Sequence, residues 1–255
     1  MMRRTACLLL SGLVLWACKR DREESVELQF EPKTYTAKSS DTCSVEQYDC
    51  SIAQLEVLEV LGDSEVSEKI NQTLHKHLVL AISQEEDPQV RDPQQLAEDF
   101  IAQQKEVVEK FGTDFPWRAL ANQSLYHQSD TLITIGVETQ VLAGGAHGYG
   151  ATSFFNFDPY TGRQYAQSEL FAEGFTDYVE GVFRQQEEIP SEASINSTGF
   201  WFENDRFHLP VNIGFEKDQV ILVYNPYEIA SYADGEFYLE LPLNEVLPYL
   251  KPLSK

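Results

Sequence analysis

Residues 117–141 read WRALANQSLYHQSDTLITIGVETQV, and this stretch decides the fold class. Two runs of alternating apolar and polar residues, 117–127 and 131–141, flank the turn formers Gln128-Ser129-Asp130. Side chains of a strand point alternately to opposite faces, so each run offers one face to a core and one to water. A short polar turn between two such runs predicts an antiparallel hairpin.

Upstream, the periodicity changes from two to about four. Val66, Ile70, Leu74, Leu78 and Ile82 recur every four residues, which predicts an amphipathic helix over 64–83 with Asp63 or Ser64 as N-cap. A second helix is expected over 93–111. Asp92 caps it, Pro93 takes the tolerated first position, and Gly112 stops it. Leu96, Phe100, Val107, Val108 and Phe111 are its expected buried face, and residues 84–91 read as a polar loop. Ahead of the helices, 51–60 alternates as a strand, while 26–30 and 34–37 are weak strand signals around Pro32.

Downstream, 153–157 and 163–166 flank the turn Asp158-Pro159-Tyr160-Thr161-Gly162. A helix is expected near 176–188, strands over 200–209, 211–215, 220–224 and 237–241, and a last helix over 243–250. Uneven runs of strands and helices, joined by hairpins, predict an α+β fold of antiparallel sheets with helices packed on them, in two α+β halves. No internal repeat is visible.

The first residues carry a different signal. Arg3 and Arg4 precede an apolar run from 6 to 16, too short to span a bilayer and of signal-peptide length. It ends in Leu15-Trp16-Ala17-Cys18, which resembles the lipobox of bacterial lipoproteins, with Trp16 bulky for its place. Cys18 is therefore the expected lipidated N-terminus of an exported chain. The lipid would hold it to a membrane on the periplasmic or extracellular face. No later stretch is apolar and long enough to cross one.

Charge is the strongest bulk property. The chain carries 41 acidic and 19 basic residues, a net −22, and removing a leader with two arginines takes it to −24. Such a surface repels nucleic acid, which excludes that partner class, and steers basic partners toward it. Solubility alone would also account for acidity. After Cys7 leaves with the leader, Cys43 and Cys50 remain. In an oxidising compartment these two are expected to pair. Closing so short a loop stabilises the fold by about 2.5 kcal/mol on the chain-entropy account.

Chemistry is hard to find. The sequence has no G-x-S-x-G, no H-E-x-x-H and no phosphate loop, so neither a catalytic residue, a metal nor a cofactor is expected. His75 and His77 stand two apart on a helix and point to different faces. Two segments stand out. Gly144-Gly145-Ala146-His147-Gly148-Tyr149-Gly150 is either a ligand loop with His147 as a polar contact or a tight bend after a strand. Residues 224–235 carry Tyr224, Pro226, Tyr227, Glu228 and Tyr232 on an expected loop. It is either a binding surface or a cover for the sheet end.

These two segments also carry a resemblance. Gly144-Gly145-Ala146-His147, Asn156-Phe157-Asp158 with Thr161-Gly162, and Glu169-Leu170-Phe171 resemble the C-terminal domain of the RsiV-like family. The run 225–230, then Tyr232-Ala233, Gly235 and Leu241-Pro242-Leu243, fits the same pattern. The half before Gly144 looks, more diffusely, like the companion domain shared with deacetylases of the PdaC type. With the leader read as a signal peptide over 1–17 and a lipidated cysteine and tether over 18–25, the resemblance implies two α+β domains over 26–143 and 144–255. In that family, RsiV is an anti-sigma factor whose extracellular part binds lysozyme. The resemblance therefore implies a non-catalytic envelope module that recognises lysozyme-like basic proteins or peptidoglycan. This chain shows neither a sigma-binding segment with a spanning helix nor a deacetylase domain, so those activities are not expected to carry over.

Three functions follow as alternatives. A basic muramidase would be steered by charge and met by tyrosines of residues 224–232. A glycan would stack on Trp117, Trp201 or Tyr227. A hydrolase would pair His147 with Glu138 or Asp158, although no nucleophile spacing supports it. Gly144, Gly145, His147, Tyr149, Pro226, Tyr227, Glu228 and Tyr232 are the expected binding residues.

Overall fold

The structure, a computed structural model, describes residues 27–83, 89–112, 115–145 and 147–253. The expected leader, Cys18 and the tether to residue 25 lie outside the described residues, as does most of the 84–91 loop.

The fold is α+β. Strands β1 (Phe30–Lys38) and β2 (Ile52–Val60) precede helices α1 (Glu65–Ile82) and α2 (Pro93–Phe111). Strands β3 (Arg118–Gln128), β4 (Ile133–Leu142) and β5 (Tyr149–Phe157) then complete a five-stranded sheet in the order β1-β2-β3-β4-β5. The chain continues through α3 (Gln167–Leu170) and α4 (Phe175–Gln186) to a second sheet, β6 (Asn212–Phe215), β7 (Gln219–Tyr224) and β8 (Phe237–Pro242), and ends in α5 (Leu243–Val246). The expected hairpin is β3–β4, with a register shift between Leu125 and His127. One pairing departs from the antiparallel expectation. β2 and β3 run parallel, because α1 and α2 form the crossover between them.

Both long helices begin and end where their own residues dictate. The Ser64 hydroxyl accepts the Ser67 N–H, and the Asp92 carboxylate accepts those of Gln94 and Gln95. Gly112, at φ +68, takes the left-handed position past the end of α2 and donates to Val108. Ile70, Leu74, Leu78 and Ile82 bury one face of α1 against the first sheet. Each fully buried side chain of this kind stabilises by about 1.5–3 kcal/mol. On α2 the buried face is Leu96, Ala97, Phe100, Ile101 and Gln104. Val107 is only partly buried, and Phe111 is 65% exposed, contrary to expectation.

Further differences have local causes. Residues 30–38 form one strand through Pro32, which an edge strand tolerates. Residues 163–166 give a single bridge, Phe157 to Gln164. Residues 200–209 form no strand. The Asn196 side chain accepts the Phe202 N–H and donates to the Phe202 carbonyl, doing what a neighbouring strand would do. Phe200, Phe202 and Phe207 instead pack around Phe183, in a core built on the second sheet. The last helix is shorter than expected and continues as a 3-10 turn, Leu247–Tyr249, at Pro248.

The sheets meet along β5. Its outer edge would otherwise present unpaired peptide groups. Asn225 accepts the Thr152 N–H at 2.8 Å and donates to the Thr152 carbonyl at 2.9 Å. Asn212 accepts from Phe154, and Asn156 donates to the Ile213 carbonyl. Phe154, Ile221, Val223 and Tyr126 fill the junction. The chain therefore crosses position 144 without leaving the first sheet, and residues beyond that position supply its edge strand.

Candidate functional site

The glycine-rich segment is the β4–β5 connection, and the 225–236 loop folds over it. The Tyr232 hydroxyl donates to the Gly148 carbonyl at 2.7 Å. The His147 ring stacks on Tyr232 with centroids 4.4 Å apart, while its Nδ1 contacts the Gly148 carbonyl at 3.1 Å. Tyr227 lies beside Tyr232 at 5.7 Å. Two segments some eighty residues apart in sequence thus share one place.

Their junction opens two adjoining clefts. One, of about 480 Å³, runs between the outward residues Glu138 and Gln140 of β4 and the loop residues Pro226, Tyr232 and Glu236. The second, of about 350 Å³, is walled by Tyr149 and Tyr232 and reaches Tyr48 and Arg118. Gln140, Gly150 and Tyr232 line both, so the clefts form one continuous groove. Tyr238 forms its far wall. Its hydroxyl donates to Glu236, whose carboxylate also accepts from Thr152 at 3.2 Å. Burial, followed by the Glu236 contact, pushes the Tyr238 phenol up to about 12. Burial and the charges of Glu228 and Glu236 also push the Tyr149 phenol up. The groove is therefore lined by tyrosines and flanked by carboxylates.

The expected site residues divide by role. Tyr149, Pro226 and Tyr232 line the groove, and Tyr227, 52% exposed, stands at its rim. Glu228 turns inward instead. Its carboxylate accepts the N–H groups of Asn225 and Val211, which fixes the loop. Gly144, at φ +80, gives close approach to the Trp117 indole, where a Cβ would come within 3.3 Å. Gly145 is an exposed turn residue. Tyr224, the first tyrosine of the loop segment, is fully buried and donates to the His208 carbonyl. Trp117 is 6% exposed in the first core, beneath that turn, and so offers no stacking face to a glycan. Asp158 accepts N–H groups of its own turn, at Tyr160 and Thr161, and makes no pair with His147.

Sequence reading missed Gln140, Thr152, Glu236, Tyr238 and Tyr48 as groove residues. The alternation of β4 marks Glu138 and Gln140 as outward, but nothing in sequence tells which outward residues another segment will overhang. Among the described residues, no group of three or more acidic, histidine or cysteine side chains could hold a metal ion, and no helix is long and apolar enough to cross a membrane.

The fold is similar to that of solved structures. It is similar to a DUF3298 family member from Bacteroides fragilis, with a TM-score of 0.66 at 14% identity, covering 90% of this chain and 96% of that one. It is also similar to a DUF3298 family protein from Pseudomonas aeruginosa, with a TM-score of 0.60 at 15% identity, covering 90% and 98%. Residues 168–244 match the family described as "Protein of unknown function (DUF3298)". That segment runs from α3 into α5 and includes the tyrosine loop, while the glycine-rich turn precedes it. No curated protein matches the chain.

Proposed function

We propose that this protein is a non-catalytic binding module of the cell envelope, held to a membrane through lipid on Cys18, whose groove docks a basic protein of the lysozyme class. The meeting of the glycine-rich turn and the tyrosine loop carries this reading. It sets Tyr149, Tyr227 and Tyr232 around one groove on a chain of net charge −22. Tyrosines supply broad contact area at low entropic cost, and flanking carboxylates steer a cationic partner. The RsiV-like resemblance of the same two segments points to the same partner class. A glycan could use Tyr149 and Tyr227, but Trp117 is buried and, among the described residues, no tryptophan lines the groove.

Calorimetric titration of the purified protein with lysozyme tests the reading. Binding is expected at low ionic strength and should weaken as salt rises. Tyr232→Ala should weaken it by roughly tenfold or more, as loss of a central aromatic anchor does. No binding at low salt, or binding unaffected by Tyr232→Ala, would refute it.

A further inference from the structure

The groove reaches a third segment that neither motif contains. Residues 43–50 form a loop closed by the Cys43–Cys50 disulfide between β1 and β2. Arg118, at the start of β3 and only 7% exposed, is the post that holds it. Its guanidinium donates to the carbonyls of Gln47 and Val45, both at 2.6 Å. The same guanidinium lies 4.6 Å from the centre of the Tyr48 ring. Two charge-assisted bonds and a cation–π contact from one buried arginine are more than an idle surface loop requires.

They set Tyr48 at the mouth of the cleft that Tyr149 and Tyr232 wall. Tyr48 is 78% exposed, the highest value of any tyrosine, although its loop is tied at both ends and in the middle. An exposed aromatic on a fixed support loses little freedom on binding. The carboxylates of Glu138, Glu228 and Glu236 lie along the same groove or beside it.

We infer that the disulfide loop is the third wall of the docking surface, with Tyr48 closing over a cationic segment of the bound protein. This rests on the proposed docking function and extends it by naming the pair of walls, Tyr48 and Tyr232, between which a lysine- or arginine-bearing stretch sits. Charge selects that occupant, since the groove combines tyrosine faces with carboxylates and, among the described residues, the only guanidinium lining it, Arg118, is already spent on its own loop. Because Cys43 and Cys50 close the loop, docking also depends on their oxidation.

The test uses the full chain with lysozyme as the probe at low salt. Tyr48→Ala should raise Kd by roughly tenfold, and Tyr48→Phe, which keeps the ring, should stay within about threefold. Reduction of the disulfide followed by thiol alkylation should weaken binding about as much as Tyr48→Ala. Hydrogen exchange on the unaltered protein gives a readout free of mutation, with amides of residues 44–50 protected when lysozyme binds. Binding that is lost with Tyr232→Ala, but unchanged by Tyr48→Ala and by reduction, would overturn this inference and leave the docking function standing. Self-association of the chain that disappears with Tyr48→Ala would overturn the choice of occupant. Failure of the unaltered, oxidised protein to bind lysozyme would end both.

Discussion

At Tyr227 the backbone takes φ +71, a left-handed value that a residue with a Cβ rarely holds. Glu228 enforces it by gripping the Asn225 N–H at one end of the turn and the Val211 N–H across from it. A strained non-glycine residue at a groove rim carries a cost that glycine would not. Tyr227→Gly should therefore be more stable than Tyr227→Ala by about 1 kcal/mol, read from urea melts, although glycine ordinarily loses to alanine. An alanine variant that matches or exceeds the glycine one would show that the turn relaxes elsewhere. His77 makes a second prediction at this scale. Its ring packs edge-on against Phe155 at 4.9 Å, and burial holds its pKa below the ordinary histidine value. The folded chain thus resists the proton that the unfolded chain accepts near ~6.5. Stability is unaffected above that pH and falls as pH drops below it. His77→Phe should flatten the decline between pH 7.5 and 5.5, while His127, lowered for the same reason, keeps its share in both proteins. An unchanged slope would contradict this.

Among the elements, three asparagines act as short pieces of strand. Asn71 takes both peptide groups of Val60, Asn196 those of Phe202, and Asn225 those of Thr152. Each satisfies backbone that secondary structure leaves open, which folded chains rarely leave unpaired. Asn225 matters most, because it joins the tyrosine loop to β5. Asn225→Ala should strand both Thr152 groups and cost about 2–4 kcal/mol in thermal or urea unfolding. Asn225→Asp, which keeps only the acceptor, should fall between. A loss below 1 kcal/mol would mean that water replaces the amide. The same residues explain what sequence could reveal. Helix α2 was legible because Asp92, Pro93, its apolar stripe and Gly112 all act within the helix or beside it. Residues 200–209 misled because Phe200 and Phe202 alternate as a strand would, while the partner that prevents one is a single amide at 196. Phe111 is exposed despite its place on the apolar stripe because periodicity marks a face and says nothing of where the sheet beneath it ends.

For the whole molecule, the two motif segments were legible as unusual, but their meeting was not. Gly148 and Tyr232 are joined by the packing of two sheets, and no local pattern records which loop that packing will lower onto which turn. Tyr48 was less visible still, since a tyrosine in a short disulfide loop reads as ordinary surface. Net charge is read directly from the sequence and the leader is proposed from it, and the two motivate two measurements at this scale. Cys18→Ser should abolish incorporation of labelled fatty acid and release the protein from membranes, whereas a chain that stays membrane-bound without label would remove the proposed anchor. The most direct test of the docking account is a hydrogen-exchange map of the protein with and without lysozyme. Slowed exchange is expected at residues 143–152 and 225–236 together, with the helical face of α1 and α2 unchanged. Protection confined to that helical face, with both groove segments exchanging as before, would contradict it.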